Sequence, residues 1–241
     1  MKKMILFDLD GTLLPMDQDA FTGAYFRLLI KKLGELGFPC STDEEKKALA
    51  SAIWAGTHGM MKNDGSCTNE ERLFLDFSTI TGQDLSIVKP ELDGFYQNEF
   101  NAISDLCGKN PRIPQIISAL KSKNIRLAIA TNPLFPLRAN ESRLKWANLS
   151  LSDFEYCTSY ETSSYCKPNL KYYFSILDHL NVKPEECIMV GNDVREDMAA
   201  KELGMDVFLV TDCLLNVENR DISEYPHGSW DDFWNYIQRY I

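Results

Sequence analysis

The chain has 241 residues, of which 44% are hydrophobic and 25% charged; this is the composition of a folded globular protein and argues against disorder. Its length suits one large domain or a core that carries a smaller inserted unit. The formal net charge of -10 argues against nucleic acid or an anionic membrane surface as a partner. A small anionic substrate is still compatible with this charge, because a local cation or lysine can dominate a site.

The seven cysteines are scattered, odd in number and without a Cys-x-x-Cys pair. This pattern argues against a disulfide framework or a zinc site and favours a reducing cytoplasm. The N-terminal apolar run breaks at Asp8, so we expect no signal peptide, and no window approaches the length of a membrane span. We therefore expect a soluble cytoplasmic protein without a membrane partner, present as a monomer or weak homodimer.

The chain opens with a short apolar run, Met4 to Phe7, that stops at Asp8 and is followed by Asp10 and Gly11. This pattern predicts a buried strand that brings two carboxylates into a loop. Their repulsion must be offset by a cation, a shared proton or donor groups, and ligands bind at this end of a strand in open α/β sheets. The simpler interpretation is that both acids only form a turn.

Apolar residues at helical spacing predict four helices in the next hundred residues, and no strand stands out among them. One of these helices begins at Thr68 with Glu71 in the capping-box position. The predicted helices run from 17 to about 36, from 41 or 42 through 54, from 68 through 80 and from about 90 to 103.

After residue 111 the pattern changes to alternating helices and strands. We predict strands at 125–130, 154–158, 187–190 and 207–210, and helices at 113–123, 137–147, 169–180, 196–203 and from Ser229 onward. This alternation predicts a mostly parallel sheet covered on both faces, a three-layer Rossmann-like α/β core. Because the first strand belongs to that sheet, residues 1–15 and 106–241 form the expected core and residues 16–105 an inserted all-helical cap.

Three later loops also follow predicted strands, where a parallel sheet gathers its functional groups. They contain Thr131 with Asn132, then Lys167 before a proline, then the acidic segment 191–197. Each has a simpler interpretation taken alone: a turn residue, a solvated lysine, or acids that complement a helix dipole. Together with the first acid pair, their order and position favour one shared site.

These four segments, beginning with Asp8-Leu-Asp10-Gly-Thr-Leu, resemble the four motifs of the haloacid dehalogenase superfamily, in its phosphatase type with a helical cap between motifs one and two. The resemblance implies that Asp8 is the nucleophile and Asp10 the general acid and base. It also implies that Thr131 holds the transferring phosphoryl group and that Lys167 bridges this group to Asp8.

The resemblance further implies a Mg²⁺ site formed by Asp8, Asp10 and acids of the fourth motif, Asp193 with Asp197. One position departs from the superfamily, because the residue after the motif-four glycine is Asn192 rather than aspartate. An amide oxygen can bind magnesium but brings no charge, so either Asn192 or Asp193 can supply the expected ligand.

Substrate contacts are expected from Thr12 and Asn132, and from the polar stretch 62–70 of the helical region. In that stretch Lys62 can meet an anionic leaving group, and Asn63 and Asn69 can hydrogen-bond hydroxyls, although a plain solvent-exposed loop is the simpler interpretation.

The expected function is a Mg²⁺-dependent phosphatase acting on a small phosphorylated metabolite through an aspartyl-phosphate intermediate. Within the superfamily that the motifs resemble, an acid at the position of Asp10 is typical of a phosphatase or phosphomutase rather than a dehalogenase. The alternatives are a phosphomutase of the same superfamily and a non-catalytic phosphate-binding regulatory protein.

Overall fold

Six parallel strands form one sheet in the computed structural model, which describes residues 2–241. The strands are β1 (Met4–Phe7), β2 (Arg126–Ile129), β3 (Tyr156–Cys157), β4 (Cys187–Gly191), β5 (Asp206–Val210) and β6 (His227–Gly228). Their order across the sheet is β3-β2-β1-β4-β5-β6, so β1 lies near the centre between β2 and β4. Met1, which the expected core boundary includes, lies outside the described residues.

Eight α-helices accompany the sheet within residues 2–241. They are α1 (Gln18–Glu35), α2 (Asp43–Met61), α3 (Asn69–Thr81), α4 (Lys89–Gln97), α5 (Arg112–Ser122), α6 (Leu137–Trp146), α7 (Leu170–Leu180) and α8 (Trp230–Ile237). Capping boxes at Thr68 with Glu71 and at Ser229 with Asp232 begin α3 and α8, as predicted. None of the helices in this part of the chain is both long and apolar enough to cross a membrane.

The sheet is covered on both faces because alternate residues of a strand point to opposite sides. Ile5 and Phe7 of β1 pack in the apolar cluster that includes α5, α6 and α8. Met4 and Leu6 pack on the other side, against α7 and the 3₁₀ segment Met198–Leu203. The predicted three-layer α/β architecture is therefore confirmed.

The helical block, residues 18–106, packs on the α6 side of the sheet. Phe100 is fully buried there, with its ring centroid 4.9 Å from that of Trp146 on α6 and 5.8 Å from that of Tyr25 on α1. The hydroxyls of Tyr25 and Tyr96 lie 2.7 Å apart within the same cluster. One continuous apolar cluster thus joins the helical block to the sheet.

Polar contacts also join the two regions at the start of α3. The backbone N–H groups of Asn69 and Glu70 donate to the carbonyls of Ser163 and Tyr160, at 2.8 and 3.0 Å. The first amides of a helix lack partners within it, so the loop before Lys167 supplies acceptors for these two.

Three elements differ from the prediction. The fourth predicted helix divides into α4 and a 3₁₀ segment, Glu99–Leu106, because the backbone leaves the helical region at Asn98. The predicted helix 196–203 is the six-residue 3₁₀ segment Met198–Leu203, which ends at Gly204 with a φ of 86°. Strand β6 was not predicted, because two residues are too few to show an alternating pattern.

Candidate active site

The register of the central strands brings three sequence motifs to one edge of the sheet. Phe7 of β1 pairs with Ile129 of β2 and with Val190 of β4. The residues that follow these three positions therefore leave the sheet side by side. The backbone N–H of Asp8 donates to the carbonyl of Val190 at 2.9 Å, which fixes the first acid beside the motif-four loop.

Asp8 is buried and has a defined partner at each carboxylate oxygen. Its Oδ1 accepts from Nζ of Lys167 at 2.9 Å, and its Oδ2 lies 3.1 Å from the Thr12 hydroxyl. Gly11 has a φ of 81°, and a Cβ there would collide with the Asn192 side chain. Glycine is thus needed for the turn that brings Thr12 back to Asp8.

Lys167 lies just before α7 and is almost fully buried. Besides Asp8, its Nζ contacts Oδ1 of Asp197 at 2.6 Å. Burial alone would lower the pKa of Lys167, but Asp197 and Asp8 outweigh it and hold this pKa well above its usual value. The ammonium group therefore stays charged between the two motifs.

The motif-four loop is held in place by its own acids. Oδ2 of Asp197 accepts from the N–H of Asp193 at 2.9 Å, and Oδ1 of Asp193 accepts from the N–H groups of Arg195 and Glu196 at 2.7 and 2.8 Å. A Cβ at Gly191 would collide with the Asp197 carboxylate, so this carboxylate packs against bare backbone. Both oxygens of Asp197 are thus engaged within the protein.

Asp10 forms an ion pair that the sequence did not reveal. Its Oδ2 accepts from Nη1 of Arg143, a residue of α6 with no exposed surface. The same guanidinium donates to Oδ1 of Asn140 and lies 4.2 Å from the ring centroid of Phe135. Burial raises the pKa of Asp10, and although Arg143 lowers it, the net shift is upward.

The second and third motifs are tied to each other and to the fourth. The carbonyl of Thr131 accepts from the hydroxyl of Tyr172 at 2.8 Å. Nδ2 of Asn132 donates to Oε2 of Glu196 at 3.0 Å, and its Oδ1 accepts from the N–H of Lys167 at 3.3 Å. Burial raises the pKa of Glu196 to about 7, against the lowering effect of Lys167.

These residues surround a cleft of about 220 Å³ at the carboxyl ends of the strands. Five acids line it: Asp8, Asp10, Asp193, Glu196 and Asp197. Its other polar lining consists of Gln18, Thr22, Thr131, Asn132 and Asn192. The structure therefore gathers residues of the first, second and fourth motifs around a single cavity, while Lys167 of the third motif contacts two of its acids, Asp8 and Asp197.

Three of the residues predicted to contact substrate do not line this cleft. Lys62 is exposed at the end of α2. Asn63 is buried, but its amide group bonds within its own loop, to the carbonyl of Cys67 at 3.0 Å and to Oδ1 of Asn69 at 2.9 Å. The Thr12 hydroxyl lies between Asp8 and Oδ1 of Asn192, 2.8 Å from the latter. Among the four predicted positions, Asn132 alone lines the cleft.

The donor groups in the cleft fit magnesium. Among residues 2–241, no three His, Cys, Asp or Glu side chains are gathered closely enough to hold a metal ion by themselves. Magnesium needs fewer protein ligands, because it keeps water and phosphate oxygens around one or two carboxylates. Oδ1 of Asp10 is buried without a hydrogen-bond partner, and Asp8, Asn192 and Asp193 line the same cavity.

Two residues of the site, Arg143 and Glu196, were not predicted from the sequence. Arg143 lies four residues after Ala139 and three before Trp146, on the buried stripe of α6. A basic residue within an apolar stripe was the signal that could have revealed it. Glu196 lay within the predicted acidic loop, but nothing in the sequence separates its side chain from that of its neighbours.

The fold is of the parallel α/β class, and its site has an acid pair after a central strand with a buried lysine beside it. A model of the haloacid dehalogenase-like hydrolase family matches residues 2–204. The chain belongs to this family, and the predicted membership is confirmed.

Two relatives and one solved structure illustrate the similarity. The glyceraldehyde 3-phosphate phosphatase of Methanothermobacter thermautotrophicus is 26% identical over 226 residues, which cover 93% of this chain and 92% of that protein. A phosphoglycolate phosphatase of Psychrobacter arcticus is 23% identical over 212 residues, covering 85% and 81%. The crystal structure of a HAD phosphatase from Thermococcus onnurineus has the same fold, with a TM-score of 0.61, 20% identity and 98% coverage of both chains.

Proposed function

We propose that this hydrolase is a Mg²⁺-dependent phosphatase that cleaves a small phosphorylated metabolite. The observation that carries the proposal is the buried contact of Lys167 with both Asp8 and Asp197, because it places a fixed cation beside the expected nucleophile. The names of both relatives support a phosphoric monoester as the substrate.

In the proposed reaction the Asp8 carboxylate attacks phosphorus and the ester P–O bond breaks, which leaves an aspartyl phosphate. Asp10 donates a proton to the departing oxygen and then accepts one from the water that hydrolyses the aspartyl phosphate. Lys167 and Thr131 hold the phosphoryl oxygens while negative charge redistributes among them. The products are inorganic phosphate and the free alcohol, with Asp8 regenerated.

Magnesium, when bound, supplies positive charge against the phosphate oxygens. Asp8, the Asp10 carbonyl and either Asn192 or Asp193 would hold it. Asp197 is better suited to position Lys167, because both its oxygens already accept hydrogen bonds.

We also propose the division into a catalytic core, residues 1–15 and 106–241, and a cap, residues 16–105. All regular structure from Gln18 to Leu106 is helical, which supports the cap. The cytoplasmic location and the monomeric or weakly dimeric state are parts of the same proposal.

The test is release of inorganic phosphate from a panel of phosphate monoesters, with Mg²⁺ and with a chelator. The Asp8→Asn variant should lose activity by about a thousandfold or more, because removal of a nucleophile abolishes the chemical step. Asp178→Asn changes an exposed acid on α7 and serves as the matched control. Undiminished release by folded Asp8→Asn protein would overturn the proposed mechanism.

A further inference from the structure

Besides its acids and other polar groups, the cleft is lined by six apolar side chains. Its apolar residues come from the helical block and from the loops after the strands: Met16, Phe21, Met61, Leu134, Phe135 and Leu215. Gln18 and Thr22 are the polar side chains that α1 contributes. A leaving group that enters this space therefore meets hydrocarbon and aromatic surface, with two uncharged polar groups.

The cleft offers no free cation to a second negative group. Within residues 2–241, no Lys, Arg or His side chain lines it. Lys167 contacts two of its acids, Asp8 and Asp197, and Arg143 is paired with Asp10. A carboxylate or second phosphate on the leaving group would thus lose water without gaining an ionic partner, close to acidic side chains.

A second cavity of about 170 Å³ adjoins the cleft and lies between the helical block and Leu134, Phe135 and Tyr160. The two cavities share Thr22, Leu134 and Phe135 in their walls. The second one is rich in aromatic rings, including those of Tyr25, Trp54 and Tyr160. An apolar cavity of about 150 Å³ is large enough to hold a benzene ring, so this volume suits the far end of a ring-bearing leaving group.

We propose that the cleft selects phosphate monoesters whose leaving group is uncharged and largely apolar, and that it discriminates against esters with a second anionic group. The inference rests on the proposed phosphatase function. The inferred preference excludes phosphoglycolate, after which the Psychrobacter arcticus relative is named, because phosphoglycolate carries a carboxylate on its leaving group.

The experiment compares kcat/KM within two matched pairs of esters at neutral pH. The pairs are phenyl phosphate with 4-carboxyphenyl phosphate, and 2-hydroxyethyl phosphate with phosphoglycolate. We expect the uncharged member of each pair to be favoured by about tenfold or more, because like charges placed together without partners are strongly disfavoured. We also expect phenyl phosphate to be cleaved more efficiently than 2-hydroxyethyl phosphate.

A charge added to the wall tests the cause of this preference. Met61→Lys places an ammonium group in the cleft wall at a side chain that is 45% exposed, so the fold should tolerate it. The ratio of kcat/KM between charged and uncharged esters should then rise roughly fivefold. Ile87→Lys adds the same charge to the outer surface of the helical block, at a position 76% exposed, and should leave the ratio unchanged.

The outcomes separate this inference from the proposed function. Equal or better cleavage of the charged members, or an equal change of the ratio in Met61→Lys and Ile87→Lys, would overturn the inference while the phosphatase stands. No phosphate release from any of the four esters by folded, magnesium-supplied enzyme would overturn both.

Discussion

Arg143 lies outside the four motifs, but its contacts predict an effect on both stability and activity. Its guanidinium is fully buried and contacts Asp10, Asn140 and the Phe135 ring. Removing one partner of a buried ion pair leaves the other charge uncompensated, which typically costs about 3–5 kcal/mol. Arg143 thus fixes the orientation of the expected general acid.

We predict that Arg143→Met lowers the free energy of unfolding by about 3 kcal/mol and reduces turnover. Urea denaturation followed by circular dichroism measures the first effect. The matched control is Arg138→Met on the same helix, where the arginine is about half exposed and pairs with Glu141 at 3.4 Å. In a double-mutant cycle, Asp10→Asn should lower the free energy of unfolding by less in the Arg143→Met protein than in the wild type. Strictly additive losses would contradict the pairing of Asp10 with Arg143.

Both acids were predictable from the sequence, but the partner of Asp10 was not. Asp8 and Asp10 follow an apolar strand directly, so their place at a sheet edge follows from local sequence. The contact of Asp10 with Arg143 joins residues 133 positions apart. Such a contact depends on how α6 packs, and no local pattern encodes the packing of one helix on a distant loop.

Among the elements, α1 and α4 are joined by a buried pair of hydroxyls. Tyr25 and Tyr96 lie with their oxygens 2.7 Å apart, inside the aromatic cluster of the helical block. Burial raises the pKa of Tyr25 to about 12, although its bond to Tyr96 lowers it. Burial also raises the pKa of Tyr96. The neutral phenols are therefore favoured in the folded state.

This shift predicts a loss of stability in alkali. An unfolded tyrosine loses its proton near pH 10, whereas folded Tyr25 keeps its own until about pH 12. Between these values the folded protein binds more protons, so the free energy of unfolding falls as pH rises. Between pH 10 and pH 12 the free energy of unfolding of Tyr25→Phe should therefore fall by about 2–3 kcal/mol less than that of the wild type. Denaturant titrations at successive pH values measure both. Parallel curves for the two proteins would contradict the prediction.

Element boundaries were predictable where side chains define them locally. Thr68 with Glu71 marks the start of α3, because both partners of the capping box lie within one turn. The end of α4 was missed because Asn98 competes with the helix, donating from Nδ2 to the carbonyl of Gly94 at 2.8 Å. An asparagine in a helical pattern does not reveal whether it will make that bond.

For the molecule as a whole, the continuous apolar cluster predicts one cooperative unfolding transition. Phe100 lies in that cluster between the helical block and Trp146 of α6. Phe100→Ala should lower the free energy of unfolding by about 3–5 kcal/mol, because it leaves a cavity where the helical block packs against α6. The whole transition should move to lower temperature, with circular dichroism and tryptophan fluorescence changing together.

The control for this prediction is Leu75→Ala, because Leu75 is 57% exposed on α3 and its truncation leaves no buried cavity. Two separate transitions, of which Phe100→Ala moves only one, would show instead that the helical block unfolds independently of the sheet.

Hydrogen exchange at the backbone amides of Asn69 and Glu70 reports the opening of the contact between the helical block and the sheet region. Each donates to a carbonyl of the loop that leads to Lys167, so each can exchange with deuterium only when the helical block parts from that loop or the chain unfolds. If these two amides exchange faster than the amides of β1, the helical block opens more often than the whole protein unfolds. If the block must part for product to leave, its opening rate sets an upper limit on turnover, and this rate can be measured at these two amides under conditions where chemical exchange is faster than re-closing.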